Sequence, residues 1–458
     1  MVERLKNRRS ASHLTYRKPN ICLIVLDTLR EDHANSLDGL ASLGFRKFCN
    51  AISPGPWTLP SHVSMMTGDL PSAHGIHASL DAPEEALMSL SRARLGKGSI
   101  VSWLKEFGYR TYGLSANPFI TPQFGFDFDE FELVEFDDAI PGPRLLGGWE
   151  TNHSAIPHPL QTARELVRTR RLRRLAYETG AFAFSRPISM MARRGIGRKT
   201  VEKGSGRVLQ EIRRKRFQTP FFLFVNLMEA HEPYLAGEAE DVTRYLSGMP
   251  EDRWWWAEGY RRGAALAVAR CVEVLNEVMA SDPLIIVTSD HGQLIGEGGR
   301  YGHGFYLDDQ LVRVPLYVRF PTGLDQCEVG GPVVSLTEVA GIIENVVASR
   351  PFSVGSDTAL SESFGYYANP LSLAKKHVDL RRIFARRIRI SKERGYAIFN
   401  FASRQIEVLS GDMTDSEISR ELTAVEGAEE MNRAEIGKPR IPEEDAIILE
   451  RLRALGYE

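Results

Sequence analysis

The stretch that decides the fold is Asn20-Ile-Cys-Leu-Ile-Val-Leu-Asp-Thr-Leu-Arg30, in which an apolar run ends in a carboxylate. An apolar run of this length predicts a buried strand of a parallel sheet. Residues 284–292, Leu-Ile-Ile-Val-Thr-Ser-Asp-His-Gly, repeat the plan. The carboxyl ends of parallel strands share one crevice, where open α/β sheets bind ligands. We therefore predict an α/β fold in which Asp27, Asp290 and His291 surround one divalent metal ion.

A third stretch, residues 54–68, supplies a hydroxyl group for the same crevice. Thr58 stands two residues before Pro60, just ahead of a run that predicts a helix beginning at Ser61. The N-terminus of a helix favours an anion, so Thr58 is a candidate nucleophile and a fourth metal ligand. The alternative is a Pro-rich turn whose hydroxyl groups only cap the helix.

Taken together, these stretches and several later ones resemble the sulfatase branch of the alkaline phosphatase superfamily. The resemblance covers most of the chain except about residues 135–215, and it is carried by residues 24–30, 56–62, 67–68, 108–111, 115–117, 231–234, 288–292, 302–304, 313–316 and 452–457. It implies a mostly parallel sheet flanked by helices, followed by a small C-terminal α+β subdomain. It also implies an ester hydrolase or phosphotransferase.

The nucleophile position departs from the sulfatase pattern. Sulfatases carry Cys or Ser there, in a C/S-x-P-x-R motif that is oxidised to formylglycine, whereas this chain has Thr58, with His62 in place of the Arg. A threonine cannot form that aldehyde. Thr58 resembles instead the threonine nucleophile of nucleotide pyrophosphatase/phosphodiesterases and lipoteichoic acid synthase-like phosphotransferases. We therefore predict action on a phosphodiester, phosphomonoester or phosphonate; the alternatives are a sulfatase working without formylglycine and a non-catalytic binding protein.

The metal ligands depart from the pattern in the same direction. Sulfatases carry Asp-Asp after the first strand and Asp-Asn after the later one, which is an all-oxygen set suited to calcium. Here the pairs are Asp27-Thr28 and Asp290-His291, so a carboxylate is lost and an imidazole gained. This change favours manganese or zinc, with magnesium or calcium as alternatives.

Further site residues follow from the resemblance. His231 and His303 match positions that contact the transferred group or the leaving oxygen, and either could be the general acid, because imidazole titrates near neutrality. His62 and Asn117 are predicted to bind the substrate. The expected substrate is a small anionic ester.

The length of 458 residues and an apolar fraction of 43% allow one large domain with a smaller appendage. We predict a basic tail over residues 1–18, a catalytic domain over 19–350 with a basic helical insert at about 135–216, and a C-terminal subdomain over 351–458 with a small antiparallel sheet and a terminal helix.

The basic insert is the most unusual part of the composition. Residues 161–216 contain seventeen Lys and Arg against four Glu, although the whole chain has a net charge of only −2. A solvated helical lid is one interpretation; the alternatives are a lid that attracts a phosphate-rich substrate and a basic patch that contacts an anionic membrane. No recognised motif supports nucleic-acid binding, so none is expected.

Three sequence features bear on the compartment. The four cysteines are scattered, the basic N-terminus is not followed by an apolar segment, and no apolar run reaches the ~20 residues of a spanning helix. We therefore predict a cytoplasmic protein.

Overall fold

The structure is a computed structural model, and it describes residues 18–77, 98–117, 119–134, 203–232, 234, 253–365 and 385–435. Residues 1–17 of the predicted tail, most of the basic insert and residues 452–457 of the family resemblance lie outside the described residues.

The strands, in chain order, are β1 (Ile21–Leu26), β2 (Arg46–Lys47), β3 (Ala51–Ile52), β4 (Arg110–Ser115), β5 (Glu130–Leu133), β6 (Phe221–Leu227), β7 (Leu284–Thr288), β8 (Leu294–Ile295), β9 (Tyr301–Gly302), β10 (Arg313–Val314), β11 (Leu316–Arg319), β12 (Cys327–Val329), β13 (Val334–Ser335), β14 (Phe352–Val354), β15 (Ala359–Ser363), β16 (Arg387–Lys392), β17 (Gly395–Asn400) and β18 (Gln405–Gly411). The α-helices are α1 (Thr58–Thr67), α2 (Pro71–His74), α3 (Ile100–Glu106), α4 (Ser205–Arg214), α5 (Arg253–Val278), α6 (Asp309–Val312), α7 (Glu338–Val347) and α8 (Asp415–Glu435). Short 3-10 helices span Glu31–His33, Asn35–Leu43, Pro122–Phe124, Met279–Ser281 and Glu297–Gly299.

A seven-stranded sheet forms the centre of the molecule, in the order β2-β11-β7-β1-β6-β4-β5. The five strands from β7 to β5 run parallel, and β11 and β2 add an antiparallel edge. The predicted α/β class with a mostly parallel sheet is confirmed. β1 is the middle strand, so the polar residues that follow it emerge at the centre of one sheet end.

The two faces of the sheet carry separate apolar cores. Side chains of β1 alternate between them: Leu23 and Val25 pack with α1, α3 and α7, whereas Ile24 and Leu26 pack with α4 and α5. All four are fully buried, and each such burial contributes roughly 1.5–3 kcal/mol. Burial on both faces explains why β1 is a continuous apolar run, and it fixes the height at which Asp27 leaves the sheet.

Helix α1 begins at Thr58, so the prediction of a start at Ser61 was wrong. The residue before a proline usually avoids helical backbone angles, which argued for a later start. Pro60 is nevertheless the third helical residue. There its missing N–H costs nothing, because the first four N–H groups of a helix have no partner within it. Thr58 is therefore the first residue of the helix and lies at its positive end.

The C-terminal part of the described chain contains a four-stranded antiparallel sheet, β15-β16-β17-β18. Within it β17 pairs antiparallel with β18, and a small antiparallel sheet is what the sequence predicted for this region. Helix α8 packs on this sheet through Ile418, against Ile390 and Ala397. The subdomain boundary at residue 351 stays a prediction.

Two observations concern the predicted compartment. None of the described helices combines the length and the apolar character needed to cross a membrane. All four cysteines are free thiols, and only Cys49 is exposed. Cytoplasmic residence stays a prediction.

Candidate active site

The carboxyl ends of β1 and β7 bring three predicted ligands together. Asp27 directly follows β1, and its N–H donates to the carbonyl oxygen of Leu227 at 2.9 Å, which continues the ladder to β6. Asp290 and His291 lie just beyond the end of β7. Ligand atoms of Asp27, Asp290 and His291 all lie within 4.8 Å of one another, and the three side chains are fully buried.

Asp27 is held by two amide groups. Its Oδ2 accepts hydrogen bonds from Asn117 Nδ2 at 2.9 Å and from Asn226 Nδ2 at 3.2 Å, whereas Oδ1 has no hydrogen-bond partner among the described residues. Burial favours the neutral acid, but the imidazoles of His231 and His291 and the other nearby groups outweigh it and lower the pKa of Asp27. Asp27 is thus an oriented carboxylate with one uncommitted oxygen.

Asp290 repeats this arrangement. Its Oδ1 accepts hydrogen bonds from the backbone N–H groups of His291 at 2.9 Å and Thr28 at 3.2 Å. Its Oδ2 accepts none within the described part of the chain, although His291 Nε2 lies 3.3 Å away. Burial and the charge of Asp27 raise the pKa of Asp290 well above its usual value. Two buried carboxylates, each with a bare oxygen, repel one another unless a cation lies between them.

His291 completes the set as a neutral ligand. Its Nδ1 donates to the carbonyl oxygen of Gly292 at 2.8 Å, which leaves the lone pair on Nε2. Burial lowers the pKa of His291 to about 4, so the ring is neutral at pH 7. Two carboxylate oxygens and an imidazole nitrogen suit a divalent cation, and the donor set therefore fits the predicted metal.

Thr58 lies beside these ligands. Its Oγ1 is 3.4 Å from His291 Nε2 and 3.3 Å from Asn117 Nδ2, and the residue is 3% exposed. The positive end of α1 favours negative charge at this hydroxyl. The structure thus places the candidate nucleophile where it can share a cation with His291.

Asn117 and His62 both contact Thr58. Asn117 Nδ2 links Asp27 to Thr58. His62 Nδ1 donates to the carbonyl oxygen of Thr58 at 2.9 Å, and its fully buried ring packs edge-on to Phe224. These contacts show that His62 supports the start of α1. Substrate binding by Asn117 and His62 stays a prediction.

A second cluster contains His231, Glu232 and His303, whose ligand atoms also lie within 4.8 Å of one another. The His303 ring lies between His231 and His291, with centroid distances of 5.0 and 4.7 Å. Both predicted acid candidates therefore lie next to the candidate metal ligands. Their catalytic roles stay predictions.

Gln293 joins the members of this cluster, and the sequence analysis missed it. His303 Nδ1 lies 2.8 Å from Gln293 Oε1, and Gln293 Nε2 donates to a carboxylate oxygen of Glu232. Gln293 is fully buried, and its backbone carbonyl oxygen accepts a hydrogen bond from Arg30 Nη1 at 3.2 Å. Its place two residues after His291 was the available signal, but an isolated Gln carries no pattern of its own.

The turn after β1 is also strained. Thr28 has a φ of 62°, which is rare for a β-branched residue. The Tyr260 hydroxyl donates to Thr28 O at 2.8 Å and accepts from Arg30 N at 2.8 Å. Helix α5 thus holds the turn that directs Thr28 N towards Asp290.

Comparison with known proteins agrees with this fold. The family model described as Sulfatase matches residues 19–343, which is most of the chain, and the protein belongs to the sulfatase family. The predicted family is confirmed. No curated protein matches the sequence.

Solved structures with similar folds have low sequence identity. Phosphonate monoester hydrolase from Silicibacter pomeroyi is 13% identical with a TM-score of 0.50, covering 89% of this chain and 95% of that one. A putative sulfatase from Bacteroides thetaiotaomicron is 11% identical with a TM-score of 0.50, covering 93% and 96%. BT4656, solved with D-glucosamine-2-N,6-O-disulfate, is 12% identical with a TM-score of 0.51, covering 91% and 98%. At these identities the similarity establishes the fold alone.

Proposed function

We propose that this protein is a metal-dependent phosphoester hydrolase or phosphotransferase with Thr58 as its nucleophile. The observation that carries the proposal is the position of Thr58 Oγ1, at the start of α1 and 3.4 Å from His291 Nε2. The substrate is a phosphodiester, phosphomonoester or phosphonate.

The choice of phosphorus over sulfur rests on the chemistry of threonine. The aldehyde hydrate of a sulfatase expels sulfate through its second hydroxyl group, and Thr58 has only one. A phosphothreonine does not need that exit, because water or an alcohol can attack its phosphorus.

Asp27, Asp290, His291 and Thr58 would hold the metal ion, with manganese or zinc favoured and magnesium or calcium as alternatives. Bound there, a divalent cation would supply Lewis-acid chemistry: it lowers the pKa of a bound hydroxyl and neutralises charge on phosphoryl oxygens. The bare Oδ1 of Asp27 and Oδ2 of Asp290 support this assignment.

The remaining steps belong to the chain's own groups. Thr58 Oγ1 forms a bond to phosphorus as the bond from phosphorus to the leaving oxygen breaks in line. His231 or His303 gives that oxygen a proton. In each of these two histidines Nδ1–H donates to an oxygen within 2.8 Å, Glu232 O or Gln293 Oε1, so the histidine that acts must enter the step as an imidazolium, and the proton it gives is the one on Nε2. Water or an alcohol then releases the phosphoryl group from Thr58.

The test is turnover by metal-stripped protein resupplied with manganese, zinc, magnesium or calcium. Aryl phosphodiester, phosphomonoester, phosphonate and sulfate esters serve as substrates. We expect metal-dependent phosphoester turnover that Thr58→Ser retains and Thr58→Ala lowers by more than ~10³-fold. Sulfate turnover would favour a sulfatase without formylglycine. Inactivity with every ester would favour a binding protein.

A further inference from the structure

Lys203 is buried beside the candidate active site, although it belongs to the basic insert of the sequence. It is 2% exposed, whereas the side chains of Arg207, Arg213 and Arg214 on the following helix α4 are 57%, 55% and 74% exposed. A buried ammonium group is expensive unless it is hydrogen-bonded and paired. Its contacts therefore require an explanation that a solvated lid does not give.

The ammonium group binds the segment that carries His231. Lys203 Nζ donates to the carbonyl oxygen of His231, and it lies 3.4 Å from the carbonyl oxygen of Glu229. Burial lowers the pKa of Lys203 to about 8, while the carboxylates of Glu229, Glu232 and Asp27 act in the opposite direction. The positive charge thus lies within the field of the active-site acids.

Glu229 closes the contact from the other side. Its Oε1 accepts hydrogen bonds from the backbone N–H groups of Lys203 and Ser205, both at 3.2 Å, and Glu229 itself is 2% exposed. Lys203 therefore donates two hydrogen bonds to Glu229, one from its backbone N–H to the side chain and one from its ammonium group to the backbone. The pair fastens the start of α4 to the residues just before His231.

Helix α5 packs closely against Glu229 and Tyr234. A Cβ atom on Gly263 would lie 2.5 Å from the carbonyl oxygen of Glu229, and one on Gly259 would lie 2.6 Å from Tyr234 Cβ. Glycine at both positions lets the helix backbone approach this closely. Glu229 and Tyr234 therefore have little room to move, and the Lys203 contact fixes the carbonyl group of His231 itself.

We propose that Lys203 is a positioning residue for His231, holding the imidazole beside Asp27 and His303 through the His231 carbonyl. This inference rests on the proposed function, because it assigns Lys203 to the step that uses His231. Displacement of a reacting group by about 1 Å can cost ~10²-fold in rate, so one hydrogen bond to the backbone of His231 has a measurable effect.

A double-mutant cycle tests the proposal. Lys203→Met and His231→Ala are made singly and together, and kcat/KM is measured with an aryl phosphodiester and the preferred metal. We expect Lys203→Met to lower kcat/KM about 10- to 100-fold in the wild-type background. In the His231→Ala background we expect Lys203→Met to lower kcat/KM less than about twofold, because the histidine that Lys203 positions is then absent.

Lys215→Met is the matched control. Lys215 follows the last residue of α4, and its Nζ pairs with Glu130 at 3.0 Å, outside the active site. We expect no more than about a twofold effect in either background. Equal losses from Lys203→Met in both backgrounds would mean that Lys203 supports the fold alone, which would overturn the proposal.

Glu229→Gln covers the case in which Lys203→Met does not fold. The amide oxygen can still accept from the two backbone N–H groups, but the charge that faces Lys203 is lost. We expect a smaller fall in kcat/KM that is again absent in the His231→Ala background. A full loss in that background would contradict the proposal.

A further readout separates this inference from the proposed function. If the wild-type protein hydrolyses none of the esters, the proposed function fails, and NMR of ¹⁵N-labelled histidine rings then carries the test. We expect Lys203→Met to shift the His231 ring signals, with His231→Ala identifying them, and Lys215→Met to leave them in place. Unshifted His231 signals in Lys203→Met would overturn the inference.

Discussion

Replacement of Asp290 by Asn should have opposite effects on stability with and without metal. The amide oxygen can accept the hydrogen bonds that Oδ1 receives from Thr28 and His291, so the change removes charge while keeping shape. Asp27 and Asp290 offer ligand atoms no more than 4.8 Å apart. Two unit charges at that distance repel by about 3 kcal/mol at an effective dielectric constant of about 20.

The effect on the metal-free protein depends on pH in a defined direction. The pKa of Asp290 in the folded state is raised above the unfolded value of about 3.9. The folded wild-type protein therefore holds a proton that the unfolded chain releases, and its stability falls as pH rises through this window. Asp290→Asn has no proton to release at this position, so its stability does not fall for this reason as pH rises. We expect little difference at pH 4 and a gain of up to about 3 kcal/mol at pH 8.

With metal bound, we expect the wild-type protein to be more stable than Asp290→Asn. At a free metal concentration of 100 times Kd, a ligand that binds only the folded state stabilises it by about 2.7 kcal/mol. The wild-type protein should gain this amount, and Asp290→Asn should gain much less. The assay is thermal and urea unfolding with a chelator, and with manganese or zinc, from pH 4 to 8. A metal-free Asp290→Asn protein less stable than wild type at pH 8, or equal stabilisation of both by metal, would refute the reasoning.

Two further predictions concern helix α5. Tyr260→Phe removes the hydroxyl that bridges Thr28 O and Arg30 N, and we expect a loss of about 1–3 kcal/mol in the free energy of unfolding, measured by urea titration; an unchanged midpoint would contradict the assigned role. Gly263→Ala places a Cβ 2.5 Å from the carbonyl oxygen of Glu229, and we expect kcat to fall while metal affinity at Asp27 is kept. Unchanged kcat in a folded Gly263→Ala protein would show that the segment can move without cost.

The central sheet could be predicted because its strands are buried on both faces. In β1 each residue from Ile21 to Leu26 is apolar, and a polar residue follows at once. That change in character marks the strand end, and the convergence of parallel strand ends then places Asp27 near Asp290. Local pattern and overall fold agree here, which makes the prediction dependable.

The start of α1 and the contacts of His62 could not be predicted in the same way. Pro60 argued locally against helix before Ser61, but the first turn of a helix tolerates proline. His62 stands where the family motif has Arg, yet its buried ring contacts Thr58 O. The helix start at Thr58 and the contact of His62 with Thr58 O both depend on packing in three dimensions, which the local sequence does not specify.

Lys203, Gln293 and Asn226 lay beyond sequence reasoning for a common physical reason. Each acts through contacts with residues distant in sequence, and each belongs to a residue type that is usually exposed. In a stretch with seventeen basic residues, nothing in the pattern singles out the one that pairs with Glu229. Lys203 is buried because the fold brings Glu229 and the carbonyl group of His231 next to it, and neither residue is near Lys203 in the sequence.

The central claim is that Thr58 carries the phosphoryl group during turnover. The most direct measurement is mass spectrometric mapping of the protein after rapid acid quench of a reaction with an aryl phosphodiester and the preferred metal. We predict a phosphorylated Thr58 that appears with the first turnover and is absent without metal. Turnover that proceeds with Thr58 unmodified, or equally fast in Thr58→Ala, would contradict the account.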